Sequence, residues 1–163
     1  MARSAGDAGF TLLEVVVAGA IVAILAALAV PGMVNGIVRR QVVDAMPLAD
    51  IAKAAVAGKW AALHALPGDN AGAGLPPADK IVGNYVRSVR IVDGAIDITF
   101  GNSVHKSIDG KVLTLRPAVV LDAPVVPVAW ICAKAPVPGG MTAVGTDHTD
   151  LPIGVLPYNC QAG

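Results

Sequence analysis

The chain is poor in aromatic residues, which make up 4% of it, and this argues against the stacking platforms on which proteins hold bases or sugar rings. Net charge is missing as well: 12 basic residues offset 12 acidic ones, so no broad positive field gathers nucleic acid. Histidine is sparse and scattered. His64, His105 and His148 show no H-x-x-x-H spacing, and there is no C-x-x-C. Neither a G-x-S-x-G turn, a phosphate-cradling glycine loop nor a pair of acids suited to proton transfer is present. These absences argue against an enzyme and call for no cofactor and no metal.

Charge is also absent locally. From Val15 to Val38 no residue is charged, and only Asn35 is strongly polar. Phe10 to Val30, at ~1.5 Å rise per residue, is long enough to span a hydrocarbon core of ~30 Å. Glu14 interrupts the start of this run, although a carboxylate at the centre of a bilayer costs about 2.5–3.5 kcal/mol and so calls for a partner. A cleaved secretory signal is the plainer alternative, with Ala27-Leu28-Ala29 as its cleavage pattern. Against it, the apolar segment exceeds the usual ~7–15 residues, and the leader "MARSAGDAG" is barely positive.

Pro31-Gly32 predicts a kink or loosening around Ala27 to Gly32, because proline removes a hydrogen bond and clashes one turn back, at a cost of ~3 kcal/mol; the alternative is that it simply ends the span. Beyond Gly36, apolar residues recur at Val38, Val42, Ala45, Ala49, Ala52, Val56 and Leu63, with Leu48 and Ile51 widening the stripe. Arg40 with Asp44, and Asp50 with Lys53, lie one turn apart on the flanks, and Pro47 is expected to bend this helix. "LPGDNAGAGLPP", Leu66 to Pro77, ends it as a polar loop.

The remainder predicts antiparallel strands. "NYVRSVRIV" alternates, Asp93-Gly94 is a two-residue hairpin signal, and "AIDITFG" returns. "KVLTLRPAVVL", preceded by Asp109-Gly110, and "VAWICA" supply two further strands. A helix on about four strands is an α+β architecture. The two cysteines, Cys132 and Cys160, read as a disulfide outside the cytoplasm and as free thiols inside it. The segment between them is rich in proline and glycine, and a staple there is worth roughly 3–4 kcal/mol. "TDHTD", Thr146 to Asp150, is the one cluster of hard ligands; it is too short for a calcium site and reads as solvated loop.

"G-F-T-L-L-E", Gly9 to Glu14, resembles the prepilin signature of type IV pilins. The resemblance implies cleavage by a membrane peptidase between Gly9 and Phe10 and methylation of the new amine. It also makes Glu14 the acid that pairs with a neighbour's N-terminal ammonium and sets filament register. Many members carry a basic residue before the glycine, where this chain has Asp7 and Ala8. Phe100, "GKVLTLRP", Trp130 before Cys132, and "LPYNC" ending at Cys160 look like the sheet and terminal loop of disulfide-bearing pilins, whereas residues 67–80 match only by position.

The implied organisation is a leader at 1–9, a transmembrane and filament-core helix at 10–35, and a globular head at 36–163. Within the head fall a helix at 36–66, a loop at 67–83, a sheet at 84–133 and a disulfide loop at 132–160. This is the pilin fold: a long N-terminal helix on a roughly four-stranded antiparallel sheet. The helix break at Pro31 and Gly32 is a family habit, and small residues such as Gly19, Ala20, Ala23, Ala26 and Ala27 are suited to tight helix packing. The implied partners are further copies of the chain, the prepilin peptidase, the membrane through residues 10–30, and an assembly platform, ATPase and secretin. The subunit is expected in the bacterial inner membrane, leader inside and head in the periplasm, and then in an extracellular fibre for adhesion, surface motility or DNA uptake.

Arg87, Arg90, Lys106, Lys111 and Arg116 either capture DNA or meet Asp93, Asp97 and Asp109 in a solvated surface, and the neutral charge leaves DNA capture unsupported. A minor pilin or a type II secretion pseudopilin is the alternative within the family; a membrane-anchored periplasmic binding module is the alternative outside it.

Overall fold

The computed structural model describes residues 9–162, apart from the side chains at positions 30–32. Of the expected leader, therefore, only Gly9 lies within the described residues. The chain divides into two compact units, Met1–Asn35 and Gly36–Gly163, and the first helix, α1 (Leu12–Ala45), contributes to both.

Among the described residues of the first unit α1 is the one regular element, and every described side chain from Leu12 to Asn35 is exposed. By length and composition this helix is apolar enough to cross a membrane. The expected break at Pro31 and Gly32 does not appear as an interruption, because α1 is helical through both residues. Proline withdraws a single amide from the ladder, and the turns on either side, built from uncharged helix-compatible residues, stay closed.

In the second unit the helical stripe meets the core. Val38, Val42, Ala45, Ala49, Ala52, Val56 and Trp60 are all buried. Two expectations need correction here. Leu63 and Ile51 are 65% and 51% exposed, and Trp60 closes the stripe in place of Leu63. The helix expected over 36–66 is not continuous: α1 gives way to a 3-10 turn at Met46–Ala49 containing Pro47, and α2 (Asp50–Leu63) follows. Pro47 lacks the amide that α-helical bonding to Val43 would need, so the chain tightens locally and the stripe advances to keep small residues inward. His64, in the left-handed conformation at φ 54°, ends α2 and donates its amide to the Trp60 carbonyl at 2.9 Å.

The sheet is β1 (Val86–Val92), β2 (Ala95–Phe100), β3 (Val112–Val119) and β4 (Ala129–Cys132) in that spatial order, all antiparallel. A short β5 (Thr142–Ala143), which the sequence pattern did not predict, pairs with β3. Asp93 and Gly94 both have positive φ, 49° and 82°, as a type I′ hairpin turn requires. One face of the sheet carries Val89, Ile91, Ile96, Ile98, Phe100, Leu113 and Leu115 into the core shared with the helix stripe.

The loop after α2 is less polar in its placement than in its composition. Asn70, 7% exposed, faces the outer edge of β1: its side-chain amide donates to Val89 O at 3.0 Å and Pro76 O at 3.1 Å, and its Oδ1 accepts from Ile91 N at 2.7 Å. Asn70→Ala strips these buried partners and is expected to lower unfolding stability by about 2–4 kcal/mol in denaturant titration of the detergent-solubilised, disulfide-intact chain. A loss under about 0.5 kcal/mol, the range of ordinary surface substitutions, would remove Asn70 from this account.

Candidate functional site

The N-terminal end of α1 is organised by Thr11. Its Oγ1 accepts from Glu14 N at 3.2 Å and its carbonyl from Val15 N at 3.2 Å, so Thr11 is the N-cap and Glu14 the third helical residue. The T-x-x-E spacing of a capping box was present in the sequence and identifies Thr11, which the reading by charge alone passed over. Among the described residues, the Glu14 carboxylate makes no hydrogen bond and no ion pair. It is an exposed acid in the first helical turn, where the helix dipole favours negative charge. Phe10 and Glu14 share one strip of surface with Ala18, Gly19 and Val22. An acceptor and the residue after Gly9 are thus presented on the same side of an apolar rod.

At the other end of the chain, Cys132 and Cys160 form a disulfide, with sulfurs buried in the head. The segment between them is largely exposed but is tied to the sheet at several points. Residues 144–150 lie across the face of the sheet that points away from the helix stripe, where Thr114 and Asp97 are 0% and 9% exposed. His148 Nδ1 donates to Asp97 Oδ2 at 2.8 Å, Thr114 Oγ1 donates to Asp97 Oδ1 at 2.7 Å, and Thr114 Oγ1 accepts from His148 N at 3.0 Å. Thr149 Oγ1 accepts from Thr114 N at 3.0 Å, and Asp150 Oδ1 accepts from Val112 N at 2.6 Å. Side chains here replace the strand partner that β3 lacks along this stretch. "TDHTD" is a loop, exposed or half-exposed along its length, that is also tied to the sheet as a strap: Thr149 and Asp150 accept from β3 amides and His148 meets Asp97. Among the described residues no group of three or more His, Cys, Asp and Glu is placed to hold a metal ion.

The rest of the terminal loop is fastened to α1. The Arg39 guanidinium lies 4.4 Å from the centre of the Tyr158 ring and donates through Nη2 to Gly154 O at 2.7 Å. The basic residues of the sheet find partners in part: Arg87 pairs with Asp109 at 2.7 Å and Lys111 with Asp150 at 3.6 Å, while Asp97 is taken by His148. Lys53 pairs with Asp50 at 2.9 Å, but the expected Arg40–Asp44 pair is not formed among the described residues.

Comparison with known proteins matches both regions. A family described as Pilin (bacterial filament) matches residues 38–161, and the prokaryotic N-terminal methylation motif matches residues 5–30. The chain belongs to the type IV pilins, a family of structural pilus subunits. It is 36% identical to a type IV major pilin protein PilE1 of Neisseria gonorrhoeae, over 94% of this chain and 86% of that one. It is 37% identical to a fimbrial protein of Neisseria meningitidis serogroup A, over 85% of this chain and 79% of the relative. Fimbrial protein EcpC of Eikenella corrodens is 37% identical over 66% of this chain and 72% of its own length.

Removing the disulfide by a Cys132→Ser, Cys160→Ser double substitution is expected to lower stability by about 2–4 kcal/mol in thermal or denaturant unfolding. His148→Ala is expected to speed amide hydrogen exchange over residues 144–150 while leaving β1 and β2 protected; uniform exchange changes across the sheet would show that the strap is not a separable unit.

Proposed function

We propose that this chain is made as a prepilin, cut between Gly9 and Phe10, methylated on Phe10, and polymerised through Glu14. In this reading the subunit waits in the inner membrane through residues 10–30, with the 36–163 head in the periplasm. An assembly platform and its ATPase then extrude it through a secretin into an extracellular fibre. The fibre serves adhesion, surface motility or DNA uptake, and the chain catalyses nothing itself.

The observation that carries this is the exposed, unpartnered Glu14 at the start of a helix whose described apolar side chains have no cover within their own unit. A carboxylate in such surroundings is stabilised by a cation brought by another molecule, and removing one member of a desolvated pair leaves the other charge stranded at a cost of about 3–5 kcal/mol. The Phe10 ammonium of an incoming copy is that cation, and it appears only after cleavage. Pairing thereby links processing to axial register. Pro31 and Gly32 supply the point at which α1 loosens on entering the fibre, since the ladder already lacks one amide there. Small residues on α1 let neighbouring helices approach closely, which supplies specificity where lipid and protein are equally apolar.

Intact mass of protein sheared from cells, before and after reduction, tests this. The expected species begins at Phe10, carries one added methyl group and gains two hydrogens on reduction; a species beginning at Val30, or none in the sheared fraction, would overturn the reading. Glu14→Leu is expected to abolish fibres while the head keeps its disulfide, and normal piliation in that variant would end the register argument.

A further inference from the structure

One row of side chains on the outer face of the sheet holds a cation that it does not use. Arg90, Asp97 and Thr114 stand directly opposite one another across β1, β2 and β3, and residues so opposed share a face with Cβ atoms about 4.5–5.5 Å apart. Asp97, 9% exposed, accepts from Thr114 Oγ1 at 2.7 Å and meets His148 Nδ1 at 2.8 Å. Arg90 is the cation that the ladder itself sets beside this carboxylate. It is exposed and enters no ion pair or side-chain hydrogen bond among the described residues. A histidine from a distant segment stands where the arginine is due.

That segment is lightly fastened between two firm ends. From Thr146 to Asp150 no residue is buried. One of its bonds to the sheet, Asp150 N to Val112 O at 3.2 Å, joins backbone to backbone, and the others run through side chains of Thr114, His148, Thr149 and Asp150. Upstream, Val144 N donates to Pro117 O at 2.8 Å, and a Cβ at Gly145 would fall 2.7 Å from that of Ala95. Downstream, Leu151 is buried and Cys160 is bonded to Cys132.

We infer that residues 146–150 are a latch with two positions, and that Arg90 receives Asp97 when the latch opens. Closed, His148 holds the carboxylate. Open, His148 and Thr149 turn to water, the amides of Val112 and Thr114 are uncovered, and the Arg90 guanidinium closes on Asp97 while Thr114 still donates to it. An arginine already in register gives the carboxylate a cation in both positions, so the exchange of partners lowers the resistance to opening. The firm ends confine the movement to the five residues between them.

Amide hydrogen exchange of the full-length, disulfide-intact chain in detergent reads the open population. Arg90→Gln keeps a long polar side chain at an exposed position of β1. It should slow exchange at His148 N and Asp150 N by about two- to fivefold, the worth of an exposed ion pair, and leave Val144 N unchanged. The sign is diagnostic, because losing a residue that braces the closed strap would speed exchange there. His148→Gln should open the latch, and Asp97 then depends on Arg90. The stability lost in the His148→Gln, Arg90→Gln double variant should therefore exceed the sum of the two single losses. Unchanged or faster strap exchange in Arg90→Gln, or losses that simply add, would overturn the latch. Should His148→Gln fail to fold, the Arg90→Gln exchange result decides alone.

Discussion

An apolar helix without cover in its own chain is the constraint from which the rest follows. From Leu12 to Asn35 the described side chains are exposed and, Glu14 and Asn35 aside, apolar, so this surface must lie in lipid or against other molecules. The same helix turns amphipathic after Gly36, burying Val38 and Val42 in the head and leaving Ile37 and Val43 outside. One continuous element thus serves two environments, and the change from all-round hydrophobicity to a stripe marks where the chain's own core begins. At Pro47 the chain tightens into a 3-10 turn without ending the helical path, which keeps Ala45, Ala49 and Ala52 all facing inward.

The opposite end of the chain is held by a different principle. Strand β3 is shared by β2, β4 and β5, and where its strand partners run out, Thr149 and Asp150 supply hydrogen bonds from side chains. The Asp97–His148 pair is buried on the side of Asp97 and satisfied by Thr114, so the polar groups pinned beneath the strap are not orphaned. A covalent bond at Cys132 and Cys160, a guanidinium against Tyr158 and a few side-chain bonds do for this segment what a ladder does for the sheet.

Much of this was legible from local chemistry. The uncharged run with its single acid, the Asp93-Gly94 turn and the helical stripe each report a strong local preference that tertiary packing does not reverse. The misses have a common cause. Trp60 in place of Leu63, the inward Asn70, the two-residue β5 and the strap at Thr146 to Asp150 depend on which distant groups need a cover or a partner, and a window of neighbouring residues does not contain that information. At Pro31 and Gly32 α1 continues without interruption, and helicity by itself does not decide whether it kinks there. At the helix start the needed signal was present, since T-x-x-E marks Thr11 as a cap; the carboxylate drew attention to itself and away from its neighbour.

The amide clamp of Asn70 has a consequence for a chain that must polymerise in one way only. Strand β1 lies at the edge of the sheet, and an open edge is a template for strand addition. By occupying Val89 O and Ile91 N, Asn70 takes the sites at which a second molecule would add a strand. Copies of the subunit are in this way denied the cross-β route to association along β1.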